Sequence, residues 1–264
     1  MITIHELEYK SVHLQCLNEY QDPIENAFAT GFILNEDSGM YLYTCWHVVT
    51  GFNMHHIEYE TKPTRKFIEL SLQKQEFTSG GETVLGGIKS FTIPLYNHLN
   101  KPNWIQNKQT EEHPELNNIG IKVPQCGDIV KIKLPDNPAI SIIQKIEATD
   151  VFEPIPFVGS KMYVVGFPYG FSSLGQHQPR AIVLTRFIAA FTIYKRPFES
   201  LLDGPGAPGM SGSPVFLEDS GKIKLFGVYT GTIYPDNLIN QYHQYTQLGT
   251  VSRLSIWHHL EKEE

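Results

Sequence analysis

The sequence predicts an all-β protein. Short apolar runs, rich in β-branched and aromatic residues, recur along the 264-residue chain, and clusters of glycine, proline or polar residues separate them. Runs of this length between turn signals are typical of antiparallel strands. The predicted strands are 11–17, 29–35, 40–45, 67–72, 88–95, 161–165, 181–192, 213–216 and 223–229.

Three other segments complete the predicted organisation. Asn18 to Asn26 is polar and predicts a link between the first two strands. Asn97 to Asn118 is rich in Asn, Gln, Lys and Glu and contains two prolines, which predicts a long surface loop. Apolar residues recur at a helical spacing from Leu248 to Leu260, which predicts a C-terminal helix packed on the β-structure. The second half of the fold is expected to begin near Ile140.

The stretch 209–216, Gly-Met-Ser-Gly-Ser-Pro-Val-Phe, presents a serine in a turn of small residues. A glycine at 209 allows its backbone N–H to point into a cavity. Together with the N–H of Ser211, it could bind a developing oxyanion. A serine held in this way is a nucleophile only if a base lies beside it. The motif therefore requires a histidine and an acid elsewhere in the chain.

The chain supplies both. His47 follows an apolar strand and precedes a Val-Val turn, which places it at the edge of a cleft. Asp128 opens the alternating strand 129–134, in which Ile129 and Val130 can bury its base. The chain order is thus histidine, aspartate, serine. The separations between the three residues are long enough for several strands, so the residues can meet in the folded chain.

In this order the motifs resemble those of the trypsin-fold (chymotrypsin-like) serine endopeptidases, nearest to the bacterial glutamyl-endopeptidase and Deg-type branches. Three further segments resemble the same family: 29–34 its "GTGF" strand, 164–170 its "GxPxG" turn, and 227–231 its substrate-edge strand. The resemblance covers most of the chain. It implies two antiparallel six-stranded β-barrels of the chymotrypsin type with a C-terminal helix. The first barrel, residues 1–139, would carry His47 and Asp128. The second, residues 140–264, would carry Ser211 and the helix.

The resemblance also implies a function, a serine endopeptidase that works through an acyl-enzyme and needs neither cofactor nor metal. Ser211 would be the nucleophile, His47 the base, and Asp128 the residue that orients it. The remaining site residues implied by the resemblance are Gly209 and Ser211 for the oxyanion hole, and Tyr229, Thr230 and Gly231 for pairing with the substrate backbone.

The chain departs from the family's branches at several positions. Met210 stands where digestive relatives have the aspartate that pairs with a freed N-terminus. Tyr229 stands where glutamyl endopeptidases have histidine, and Pro205 lies six residues before Ser211, where a basic-P1 protease has an acid. These substitutions favour a small or apolar P1 residue. No length remains for a PDZ module of the Deg type.

Other acids and a metal site are the competing assignments. Asp136, Asp150 and Asp203 could replace Asp128, although Asp203 is better interpreted as an acid that stabilises a turn. Cys45 and Cys126 each lie two residues before a proposed triad member, and we interpret them as small buried thiols. The chain has neither a C-x-x-C pair nor an H-E-x-x-H helix, so zinc binding is not expected.

Composition limits the partners and the compartment. The formal net charge of −7 argues against a nucleic-acid partner. Three cysteines cannot all pair, which indicates a reducing compartment. The N-terminal residues show neither a signal peptide nor a membrane span, so a cytoplasmic protein is expected. The resemblance to bacterial branches of the family implies a bacterial protein.

The expected partner is a protein or peptide substrate, with a possible activating protein that orders the cleft. The long segment from Asn97 to Asn118 is the candidate for such ordering. The alternative function is a non-catalytic or conditionally inactive module of the same fold that binds extended peptides.

Overall fold

A computed structural model describes residues 2–52, 65–77, 83–117, 120–135, 145–171, 180–192, 199–233 and 248–262. Strands dominate it, which confirms the predicted all-β class. The strands are β1 (Val12–Leu17), β2 (Pro23–Glu36), β3 (Gly39–Thr44), β4 (Phe67–Phe77), β5 (Thr83–Pro94), β6 (Trp104–Ile105), β7 (Thr110–Glu111), β8 (Val123–Pro124), β9 (Val130–Lys133), β10 (Lys145–Glu147), β11 (Lys161–Gly166), β12 (Ile182–Phe191), β13 (Glu199–Leu202), β14 (Pro214–Asp219), β15 (Lys222–Ile233) and β16 (Leu248–Arg253).

The helices are short. They are α1 (Trp46–Thr50), α2 (Pro114–Asn117) and α3 (Leu254–Lys262), with single 3-10 turns at Ile4–Tyr9, Ala148–Asp150 and Pro168–Gly170. None of the helices in the described part of the chain has the length and apolar character needed to cross a bilayer.

The second half of the chain forms a closed barrel in the order β11-β12-β13-β16-β15-β14. Every neighbouring pair is antiparallel. A closed barrel leaves no unpaired edge strand, because each strand hydrogen-bonds to two neighbours. The predicted six-stranded second barrel is therefore confirmed.

The first half forms an open sheet in the described residues, in the order β5-β4-β1-β2-β3-β9-β6, with β10 paired to β2. The prediction of a closed six-stranded first barrel is not met here. In the part of the chain that the structure describes, the two-residue strand β6 pairs with β9, and no pairing joins it to β5 at the opposite edge. β7 and β8 form a separate two-stranded ribbon.

The two halves of the fold do not separate cleanly along the chain. The predicted boundary between residues 139 and 140 itself lies outside the described residues. β10 follows that boundary in sequence but pairs in parallel with β2 of the first sheet. Conversely, the N-terminal turn Ile4–Tyr9 contacts β11 and β12, and Ile2 forms a β-bridge with Ile223. Segments from each half thus pack on the other half.

The predicted start of the C-terminal helix is wrong. The predicted helix begins at Leu248, but residues 248–253 form β16, and the helix α3 starts at Leu254. β16 closes the barrel between β13 and β15, so its backbone groups are hydrogen-bonded on both sides. That tertiary pairing outweighs the helical spacing of the apolar residues, and Thr250 and Val251 are themselves β-prone.

Strand β11 contributes side chains to two hydrophobic cores, one inside the barrel and one against the first sheet. Met162 and Val164 lie in the barrel core, whereas Tyr163 and Val165 lie in the larger core that extends from the first sheet. Successive side chains of a strand point to opposite faces, so one strand serves both cores. The surface between the two halves is therefore packed with buried side chains, and the candidate site lies at this junction.

Helix α3 covers a buried lysine. Lys131 on β9 is 3% exposed, bonds Glu36 at 3.0 Å, and lies over the rings of Tyr41 and Trp257. A buried charge requires such partners, because leaving it unpaired in the interior is costly. Alternation along β9 places Lys131 on the same face as the exposed Lys133, and the docked helix covers Lys131 through Trp257.

Candidate functional site

His47 lies where β3 ends. β3 continues through Cys45 into α1, and His47 is the second residue of that helix. The guanidinium of Arg65 donates hydrogen bonds to the carbonyls of His47 and Val48, which fixes this short helix in place. The His47 side chain is 29% exposed. A fixed backbone and a partly exposed ring suit a histidine that exchanges protons with a ligand.

Asp128 meets His47 because β3 and β9 are antiparallel neighbours. Their register pairs Thr44 with Val130, so the residue before β9 lies opposite the residues after β3. One carboxylate oxygen of Asp128 accepts the backbone N–H of His47 at 3.1 Å, and the other contacts the His47 Nδ1. The Asp128 side chain is only 8% exposed. The carboxylate thus holds both the backbone and the ring of the histidine.

The loop that carries Ser211 packs against the same strand ends. The backbone N–H of Thr30 donates to the carbonyl of Ser211 at 3.0 Å, and the hydroxyl of Thr44 donates to the carbonyl of Thr30 at 2.9 Å. Gly212 has φ +86°, and a Cβ there would lie 2.0 Å from the Thr30 carbonyl oxygen. Only glycine permits this approach, which brings Ser211 to the end of the strand leading to His47.

Within the described residues, no hydrogen bond joins Ser211 Oγ to His47. Ser211 is half-buried. Catalytic hydrogen bonds are often long in unliganded sites and tighten only when substrate is bound. The structure therefore joins two of the three predicted residues directly and places the third on the adjoining loop.

The peptide between Pro208 and Gly209 is held in one orientation. The N–H of Tyr169 donates to the Pro208 carbonyl at 2.6 Å, and the Thr30 hydroxyl donates to the Gly209 carbonyl at 2.7 Å. In a trans peptide the N–H points opposite to the carbonyl, so the N–H of Gly209 points away from Tyr169. In the described part of the chain, the N–H groups of Gly209 and Ser211 have no acceptor.

The preceding residues of the loop are also anchored. Arg186 donates to the Pro205 carbonyl at 2.8 Å, and the N–H of Gly206 donates to the Tyr229 hydroxyl at 2.6 Å. The segment 205–209 is thus fixed by side chains or backbone groups from four other parts of the chain. A loop with this many anchors keeps the Gly209 N–H, which has no acceptor among the described residues, in a defined direction, as anion binding requires.

The three residues of the predicted substrate edge, 229–231, differ in whether their backbone groups are already paired. Tyr229 uses both backbone groups inside the second barrel, because its N–H donates to Ser213 and its carbonyl accepts from Gly212. Pairing of β15 with β14 ends at Val228 in the described residues. Beyond that point, Gly231 pairs with Thr250 of β16 in the described residues, and Thr230 is the residue skipped where the register shifts. Backbone pairing with an added peptide strand is therefore available at Thr230 and Gly231, and not at Tyr229.

The competing acids have other partners. Asp203 accepts the N–H of Phe187 at 2.9 Å, consistent with an acid that stabilises a turn. Asp150 lies 3.4 Å from the ammonium of Lys224. Asp136 lies outside the described residues. Of the two acids that the structure describes, neither contacts His47.

Cys45, His47 and Asp128 offer ligand atoms that lie within 4.8 Å of one another. The Cys45 thiol, however, donates to the carbonyl of Tyr229 at 3.4 Å. Its burial, together with the charge of Asp128, raises the pKa of this thiol well above its ordinary value. Thiolate is the form that binds metals, so a thiol held protonated is a poor ligand. All three cysteines, Cys16, Cys45 and Cys126, are free and buried.

Sequence analysis missed the residues that hold the site together. Thr30 is fully buried and bridges the two halves, since its hydroxyl accepts the N–H of Phe167 at 3.1 Å while donating to Gly209. Thr30 lies in the strand that resembles the "GTGF" motif, but nothing in that pattern indicates a hydroxyl bridge. The segment 164–170 also supports the serine loop, because the N–H of Tyr169 donates to the Pro208 carbonyl.

The polar segment Asn97 to Asn118 also supports the site. It contains β6, β7 and α2, and the side-chain amide of Asn107 donates to the carbonyl of Cys126, two residues before Asp128. Asn107 is 1% exposed. The described part of this segment is therefore tied to the aspartate strand instead of being a simple surface loop.

No protein-family model matches this chain, and no curated protein matches it. The class of the protein follows from its architecture alone. It is an all-β protein with one closed six-stranded barrel and a curled open sheet, an arrangement compatible with a trypsin-like fold.

Proposed function

We propose that this protein is a serine endopeptidase of the chymotrypsin-type two-barrel fold, with His47, Asp128 and Ser211 as its catalytic triad. One observation carries the proposal. The buried Asp128 holds His47 at the end of β3, and the loop bearing Ser211 packs on that same strand end. A histidine oriented by an acid beside a serine is the arrangement that activates a hydroxyl nucleophile.

The chemistry follows from these positions. The Ser211 Oγ attacks the carbonyl carbon of a peptide bond while the His47 Nε2 takes the hydroxyl proton. The resulting imidazolium is stabilised by Asp128 and returns the proton to the departing amine, which leaves an acyl-enzyme. Water then repeats the sequence with the same base and releases the acid.

Two further features support this assignment. Among the residues that the structure describes, the N–H groups of Gly209 and Ser211 lack internal acceptors, as an oxyanion hole requires. The edge at Thr230 and Gly231 directly follows Tyr229, whose carbonyl accepts the N–H of Gly212 in the serine loop. A peptide added there as a β-strand would present its carbonyl to that loop.

A fluorophosphonate probe tests the proposal, because it reacts with activated serine hydroxyls. The purified protein is expected to be labelled at one residue, which peptide mapping should identify as Ser211. The same preparation should cleave a mixed peptide library. Protein that is folded yet neither labelled nor active, alone or in a cell extract, would favour the alternative, a module that only binds extended peptides.

The extract also tests for the activating partner expected from the sequence, which stays a prediction. Because internal hydrogen bonds anchor the segment 205–209, we expect the isolated protein to turn over peptides at ~1 to 1000 per second. A rate far below this range that rises on adding extract would indicate that a partner completes the site.

Activity is expected to survive both a reducing agent and a metal chelator. The three cysteines are unpaired and buried, and burial raises the pKa of the Cys45 and Cys16 thiols, so neither is present as the reactive thiolate. Peptidase rates with dithiothreitol or EDTA should stay within about twofold of the untreated rate. Loss of activity with EDTA, restored by zinc, would instead point to metal binding at Cys45 and His47.

A further inference from the structure

Tyr229 uses its polar groups to hold the serine loop. Its backbone N–H donates to the carbonyl of Ser213, and its carbonyl accepts the N–H of Gly212, both directly before β14. Its hydroxyl accepts the N–H of Gly206 at 2.6 Å, five residues before Ser211. One residue therefore contacts the serine loop on both sides of the nucleophile.

The ring of Tyr229 is fixed as firmly as its hydroxyl. It is 2% exposed and packs in the barrel core. Cβ atoms built on Gly206 and Gly249 would lie 2.7 Å and 3.0 Å from ring atoms, so the ring rests directly against both backbones. The hydroxyl also lies 3.1 Å from that of Thr232. The phenol consequently has one available position, and that position fixes Gly206.

Gly206 is only three residues from Gly209, whose N–H is one of the two donors without an acceptor in the described ranges of the chain. The turn between them is tight, since Met210 donates back to Ala207 at 2.9 Å. The Tyr229 hydroxyl therefore holds the start of this turn, in addition to the Tyr169 and Thr30 groups that hold Pro208 and Gly209 at its end. Donors of an oxyanion hole contribute only when they are already directed at the developing charge.

We infer that Tyr229 is a positioning residue for the oxyanion hole, and that its phenol hydroxyl does not bind substrate. The hydroxyl sets the position of Gly206 and thereby the direction of the Gly209 N–H. This inference rests on the proposed peptidase function, and it differs from the substrate-contact role expected for residue 229 from the sequence.

The test compares Tyr229→Phe with Tyr163→Phe. Tyr163 is also a buried barrel tyrosine, but its hydroxyl donates to Glu218 near the C-terminal end of β14, away from the serine loop. Tyr229→Phe should lower kcat on the order of tenfold while KM changes less than about twofold, because the loss acts on transition-state stabilisation. Tyr163→Phe should leave both constants unchanged.

Hydrogen exchange supplies a second measurement. The amide of Gly206 should exchange faster in Tyr229→Phe than in the wild type and keep its wild-type rate in Tyr163→Phe. If Tyr229→Phe does not fold, 3-fluorotyrosine at position 229 keeps the ring and weakens the hydroxyl as an acceptor, and kcat alone should fall.

The outcomes separate the inference from the function on which it rests. An active, labelled wild type with an unchanged kcat in Tyr229→Phe overturns the inference alone. A raised KM at constant kcat also overturns it, because the hydroxyl would then contact substrate. A wild type that the fluorophosphonate does not label overturns the proposed function and the inference together.

Discussion

Replacement of Ser211 by alanine is expected to lower kcat by a factor on the order of 10⁶. The change removes the only atom that forms the covalent bond to the acyl group, and neither His47 nor the oxyanion donors can supply it. Labelling by the fluorophosphonate should disappear completely. The measurement is the initial rate of cleavage of a peptide that the wild type hydrolyses, together with probe labelling of the purified variant.

The fold should not change. Ser211 is held through its backbone carbonyl, which accepts from Thr30, and its hydroxyl makes no hydrogen bond among the described residues. The free energy of unfolding is therefore expected to change by less than about 0.5 kcal/mol. Ser90→Ala, on an exposed part of β5, is the matched control and should keep full activity. Cleavage retained by a pure Ser211→Ala protein would exclude this serine as the nucleophile.

Replacement of Asp128 by asparagine is expected to lower kcat by about 10⁴ with a small change in KM. The Asp128 carboxylate accepts from the His47 backbone N–H and also contacts Nδ1. The amide of asparagine has one acceptor oxygen instead of two. If that oxygen still accepts the backbone N–H of His47, the NH₂ group faces Nδ1. The imidazole then carries its proton on Nε2, facing the serine, and cannot take up the hydroxyl proton.

Asp150→Asn is the control for charge. Asp150 is the alternative acid whose partner is Lys224, and it does not contact His47. Its replacement should leave kcat and KM unchanged. Were Asp150→Asn to reduce activity as much as Asp128→Asn does, the third member of the triad would have to be reassigned.

Much of the site could be predicted because its residues stand in local patterns. A serine between glycines, a histidine after an apolar strand and an acid before an alternating strand are each visible in a few residues. Their order along the chain, histidine before aspartate before serine, then indicated that the three belong to one site. The contact between His47 and Asp128 then depends on one strand pairing, that of β3 with β9.

The supporting residues could not be predicted because their roles depend on contacts between distant segments. Thr30 and Gly209 are joined by a hydrogen bond across 179 residues. The Tyr229 hydroxyl reaches Gly206 only because the barrel closes around it. A threonine or tyrosine in a β-strand has the same local pattern whether its hydroxyl faces solvent or a neighbouring loop.

The sequence by itself determined the all-β class and most of the strands, and it indicated the three residues proposed as a triad, because alternation and turn residues are local properties. Only the tertiary structure decided the strand at 248–253, the burial of Lys131 and the open first sheet. Each of these depends on which strands become neighbours, since pairing across the barrel satisfies backbone groups that the local sequence leaves undetermined.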